Sequence, residues 1–187
     1  MRQVKTSIDI ACSPGEAWRV LMEFPAYAEW NPYIQQIDGV AQPGHRLRLI
    51  LSLPGGRRRT ARYRVVKLDV RRELRLRSSA ILPGLLRREH VFRIISRGAM
   101  GCTFYQEEEV SGLFSVFVGE GAFTTLRQMF EAMNAALKAR CEGTEPPMLM
   151  LPQHDAPAVE GFVHFELDPL RHLAQVSRQL VPASESP

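Results

Sequence analysis

His90 and Glu108 are the polar residues whose setting could support chemistry. In the run from 87 to 95, Glu89, Val91 and Arg93 alternate with His90, Phe92 and Ile94. From 101 to 111, Phe104, Gln106, Glu108 and Val110 share a parity opposite to Thr103, Tyr105, Glu107 and Glu109. Alternation of this kind marks half-buried strands, and apolar content assigns the even-numbered sets to the inner side. A turn centred near Ala99 places His90 opposite Glu108 across a hairpin. A buried carboxylate beside an imidazole can orient a ligand or serve as acid and base. Two plainer arrangements compete with that reading: the pair satisfies itself in a polar wall, or Glu108 stands in water at an open rim.

Other chemistries find no support in the sequence. His45, His90, His154, His164 and His172 form no ligand pair at helical spacing, and no cysteine joins them at zinc-finger spacing, so no metal is expected. Neither a dinucleotide fingerprint, a phosphate loop nor a nucleophile elbow occurs, and no cofactor is expected. Cys12, Cys102 and Cys141, odd in number and dispersed, fit reduced thiols in a cytoplasm. No run approaches the roughly 18 apolar residues of a membrane span, and 45% hydrophobic content suits a sizeable core.

What positions His90 and Glu108 is a meander closed by a helix. Phe123, Leu126, Phe130, Met133 and Leu137 recur at steps of three and four, which predicts a helix over 119–142 with a broad apolar side, an Arg127–Glu131 pair on its other side and Gly143 as its stop. Such a helix is stable only when that side is covered. A first strand is predicted over 3–11. Ser13-Pro14-Gly15-Glu16 reads as a capped helix start with a capping box, and Pro25 opens a second short helix. Strands follow near 34–38, 45–52, 59–68, 72–79, 87–95 and 101–111, separated by glycine and proline signals. One sheet face is oily and the other carries Arg46, Arg48, Arg62, Arg64, Arg75 and Arg77. The expected fold class is α+β, seven curved antiparallel strands wrapped around one long helix.

Charge is segregated along the chain. Residues 46–97 hold 15 Arg and 1 Lys against Asp69, Glu73 and Glu89, a net of +13 that leaves −9 elsewhere within the overall +4. That pattern suggests an anionic partner or a basic surface neutralised by other parts of the protein. Nucleic acid is disfavoured because Tyr63 is almost the only aromatic among the arginines. An anionic membrane surface and a merely solvated face both remain open.

Ser13-Pro14-x-Glu16-x-Trp18 followed by Phe24-x-x-Tyr27-x-x-Trp30-Asn31-Pro32 resembles the opening of the SRPBCC superfamily, the START-like helix-grip proteins that include polyketide cyclases and lipid-transfer domains. Glu108-Glu109-Val110-Ser111-Gly112 and Met133-Asn134-x-Ala136-Leu137-Lys138 resemble that family's last strand and terminal helix, so the resemblance covers residues 3–142. It implies a small hydrophobic ligand, lipid- or polyketide-like, held between sheet and helix. The lining expected is Trp30, Leu49, Tyr63, Leu76, His90, Phe92, Phe104, Glu108, Phe123, Leu126 and Phe130. The same side chains also have a bland role as core, since large aromatics dominate packing in any fold. A non-catalytic binder or carrier is the leading expectation. The alternatives are a cyclase or dehydratase with His90 and Glu108 as acid and base, and an interaction module working through the C-terminal extension. Domain organisation is expected as a helix-grip domain over 1–143, a proline-rich linker over 144–157 and an extension over 158–187 with a short amphipathic helix beginning at Asp168-Pro169.

Overall fold

A computed structural model describes residues 2–78, 87–112 and 119–145. The elements run β1 (Arg2–Ile10), α1 (Pro14–Met22), a 3-10 turn (Phe24–Ala26), α2 (Tyr27–Trp30), β2 (Ile34–Asp38), β3 (Arg46–Ser52), a 3-10 turn (Pro54–Gly56), β4 (Arg58–Asp69), β5 (Glu73–Ser78), β6 (Arg87–Ser96), β7 (Cys102–Ser111) and α3 (Glu120–Glu142). The linker and extension expected beyond Glu145 lie outside the described residues.

Seven antiparallel strands form one sheet in the order β1-β7-β6-β5-β4-β3-β2. β2 to β7 is therefore a meander, and β1 folds back to pair with the last strand. The oily side of this sheet receives α3. Leu47, Leu49, Tyr63, Leu76, Phe92 and Phe104 from the strands meet Leu126, Phe130, Met133 and Leu137 from the helix in one buried cluster. Each fully buried side chain of this size contributes roughly 1.5–3 kcal/mol.

Local sequence sets the ends of the elements. The Ser13 hydroxyl accepts from the Glu16 amide at 3.2 Å, with Pro14 in the first turn. The returning half of the expected capping box is not made, because the Glu16 carboxylate is held by Arg19 at 2.7 Å. Asn31, forced extended before Pro32, turns its side-chain carbonyl onto the amides of Tyr33 and Ile34 at 3.0 and 2.9 Å and starts β2. α3 stops at Gly143 in the left-handed conformation, φ 66°, where a side chain would be strained. Along α3 the expected Arg127–Glu131 pair gives way to a longer reach: Arg127 donates to the Lys5 carbonyl at 2.9 Å and ties the helix to β1.

The outward arginines do not form one uniform set. Arg77 lies 2.7 Å from Glu89, Arg75 3.1 Å from Glu73 and Arg48 2.6 Å from Asp38. Among the described residues no carboxylate pairs with Arg46, Arg62 or Arg64. Nor is any described helix long and apolar enough to cross a membrane.

Candidate functional site

β6 and β7 supply the polar part of the inner wall. Their register places His90 directly opposite Glu108 and the turn between them centres on Ala99. Both side chains face α3, 1% and 0% exposed.

Adjacency in register does not make them a hydrogen-bonded pair. Arg88, two residues before His90 and on the same inner face, donates its Nε–H to Glu108 Oε1, and this ion pair is 3% and 0% exposed. The closest approach of His90 Nδ1 to Glu108 Oε2 is 3.8 Å. His90 Nε2 instead meets the Gln106 side-chain amide at 3.0 Å. With that amide donating, Nε2 accepts, and the ring proton sits on Nδ1, turned toward Glu108. Burial, reinforced by the Arg88 charge, lowers the His90 pKa to about 3. The imidazole is therefore neutral across the physiological range.

Aromatic rings fix its plane. His90 stacks on Phe130 of α3 at 4.8 Å and 17°, and lies 4.2 Å from Phe92. Phe92 continues to Phe104 at 6.2 Å, and Phe130 to Tyr33 at 5.9 Å. A second polar string runs beside this stack. Asn134, in the middle of the α3 stripe, donates to the Thr6 hydroxyl at 2.9 Å, and Thr6 donates to the Gln106 backbone carbonyl at 3.3 Å. Gln106 Oε1 and Asn134 Oδ1 are buried acceptors with no hydrogen-bond partner among the described residues. Burying such an acceptor unsatisfied costs about 1–3 kcal/mol, which makes each a place for a water or a ligand donor.

The other expected lining residues are placed as follows. Leu49, Tyr63, Leu76, Phe92, Phe104, Leu126 and Phe130 are all buried on the inner side. Phe123, near the start of α3, is buried beneath the Arg2 guanidinium, 4.2 Å above its ring. Trp30 stands at the α2 end, half-buried, with its ring 5.0 Å from Tyr27 and its Nε1 lacking a hydrogen-bond partner among the described residues. Four polar members of the wall escaped selection from the sequence: Thr6, Arg88, Gln106 and Asn134. Strand parity marks Arg88 and Gln106 as inward. Asn134 carries the same signal in its flanking by Met133 and Leu137.

The three thiols, dispersed in the sequence, converge at the far end of α3. Ile10 pairs with Cys102, and the Ala11 amide donates to Glu142 at 2.7 Å, which brings Cys12 into the neighbourhood of Cys102 and Cys141. Burial pushes the Cys102 thiol up to about 12 and Cys141 higher still, so both stay protonated and unreactive.

Comparison with known proteins agrees with this architecture. Residues 1–142 match the profile of the family described as polyketide cyclase / dehydrase and lipid transport. No curated protein matches the sequence. Among solved structures, a START superfamily protein from Mycobacterium smegmatis superposes with a TM-score of 0.61 at 19% identity, over 75% of this chain and 97% of that one. The di-domain aromatase/cyclase BexL from the BE-7585A biosynthetic pathway gives 0.59 at 17%, over 76% of this chain. Only 47% of BexL is covered. The Zhui aromatase/cyclase from Streptomyces sp. R1128 gives 0.52 at 18%, over 75% and 93% of the two chains. Identities this low establish the shared fold alone. The curved sheet gripping one long helix, together with a profile match over most of the chain, makes this protein a member of the polyketide cyclase / dehydrase and lipid transport family, with the START-like helix-grip fold.

Proposed function

We propose that the protein binds or carries a small hydrophobic molecule, lipid- or polyketide-like, between the sheet and α3, without transforming it. The observation that carries this reading is the dry Arg88–Glu108 ion pair set beside a neutral, ring-stacked His90 in an otherwise apolar interior. A hydrophobic replacement would usually be as stable as a buried ion pair or more so, so the presence of the pair fits a role in holding a ligand's polar end. Family membership supports a hydrophobic ligand in general terms.

Glu108 is engaged by Arg88 and stands 3.8 Å from His90, which speaks for positioning over acid-base catalysis. A cyclase reading requires His90 to act as a base, with ring closure or water loss as its product. Three free cysteines support a reducing compartment such as the cytoplasm. In this reading ligand handling belongs to residues 1–143, and the extension serves another purpose.

Native mass spectrometry of freshly purified protein, followed by organic extraction, separates the alternatives. A carrier retains an apolar guest and returns it unchanged after incubation, and the chain cut after Gly143 keeps that guest. Conversion of the guest, or its loss on truncation, contradicts the proposal.

A further inference from the structure

The outward side of β3 and β4 is built of like charges in register. Arg46 lies directly opposite Arg64, and Arg48 opposite Arg62; Arg64 in turn faces Arg77 on β5. Like charges directly across a strand pair repel and destabilise a sheet. From Lys67 near the end of β4 through β7 the chain relieves this repulsion, inserting Glu73, Glu89 and Glu107 among Lys67, Arg75, Arg77 and Arg93. Over β3 and the first part of β4 it does not. Of the outward arginines Arg46, Arg48, Arg58, Arg62 and Arg64, Arg48 has a carboxylate partner, Asp38, and the other four have none among the described residues. All four are exposed.

We infer that this face of β3 and β4 is a docking surface for an anionic lipid bilayer, whose phosphate headgroups supply the counter-charge that the protein leaves out. A guanidinium receives phosphate oxygens through two parallel N–H bonds, and each arginine near an anionic surface adds to the attraction within about 8 Å of screening at physiological salt. A single-stranded nucleic acid fits less well. It binds by stacking bases on aromatic rings, and the outward positions of these two strands carry none: Ile50, Ser52 and Thr60 lie between the arginines, and Tyr63 points inward.

The test is co-sedimentation of the full chain with vesicles of phosphatidylcholine alone and of phosphatidylcholine with phosphatidylglycerol, from low to high sodium chloride. Arg62→Gln with Arg64→Gln is compared with Arg19→Gln with Arg140→Gln, which removes the same charge from the helix side. Binding to anionic vesicles only, weakened steeply by salt, is expected. The sheet-face variant should bind roughly 10- to 30-fold more weakly and the helix-side variant within about twofold of the parent. Relief of the Arg–Arg opposition should also leave the sheet-face variant melting no lower than the parent, so a loss of binding cannot come from unfolding. Equal binding to both vesicle types, equal loss in the two variants, or tighter binding to a single-stranded oligonucleotide than to the vesicles would overturn the inference.

Discussion

On the inner side of β6 the Arg88 guanidinium meets Glu108 with 3% and 0% of the two side chains exposed. One residue along, on the outer side, Glu89 is 12% exposed and shared by Arg75, Arg77 and Arg87, whose side chains remain 35–52% exposed. The same two kinds of group are in contact, yet solvent makes them different objects. Outside, water screens the attraction and re-solvates either partner if the other is lost, so the cluster adds little and tolerates change. Inside, neither group can return to water without opening the interior, and losing one strands the other. What distinguishes the two regions is thus the cost of separation, and only the inner one can make the position of a charge depend on what occupies the interior.

Breaking the inner pair should have the largest effect. Arg88→Met or Glu108→Leu alone should destabilise by about 3–5 kcal/mol, while the double variant recovers much of that loss. Denaturant titration of the three proteins reads this out. Additive losses would remove the contrast with the outer face.

His90 sharpens the comparison through pH. Its pKa in the folded protein is about 3, against roughly 6.5 unfolded. The unfolded chain therefore takes up the proton first as pH falls. This contribution is whole above about pH 6.5 and is lost progressively down to about pH 3. Between pH 6.5 and 5 the loss amounts to about 1.5 kcal/mol. Stability of the protein should fall over that interval, and His90→Gln should flatten the fall; parallel profiles would mean that His90 is not held neutral by burial.

The outer cluster should show the smallest change. Burial pushes the Glu89 carboxyl up, but hydrogen bonds from Arg87 and Arg77 and the Arg77 charge outweigh it and leave the group below its usual range. Glu89 therefore contributes stability above the ordinary carboxylate range that fades as pH falls through its lowered value. Because its partners are well solvated, Glu89→Gln should cost no more than about 1 kcal/mol at neutral pH, and thermal melts at low and high salt should bring the two proteins together.

The difference between the faces also explains what could be read beforehand. Alternation gave the strands, and a turn at Ala99 gave the register that sets His90 against Glu108, because both are local properties of one hairpin. Arg88 has the same inward parity, but an arginine at the start of a strand is expected to seek water, and only the three-dimensional enclosure of Glu108 gives it a reason to turn in. Asn134 was hidden the same way in an apolar helical stripe, its partner Thr6 lying on β1. On the outer side, parity identified the six arginines as sharing a face. Their division into compensated and uncompensated groups depends on which strands lie side by side, and Asp38, Glu73 and Glu89 reach them from three different strands.

The central claim is that an apolar guest enters between the sheet and α3 and is met there by the His90 wall. The most direct test is a titration of isotopically labelled protein with the neutral apolar probe N-phenyl-1-naphthylamine, followed by NMR of the aromatic and histidine side chains. The account predicts saturable shifts at His90, Phe92 and Phe130 and none at the outward arginines of β3 and β4. Shifts confined to the outer face, or no shifts at any probe concentration, would contradict it.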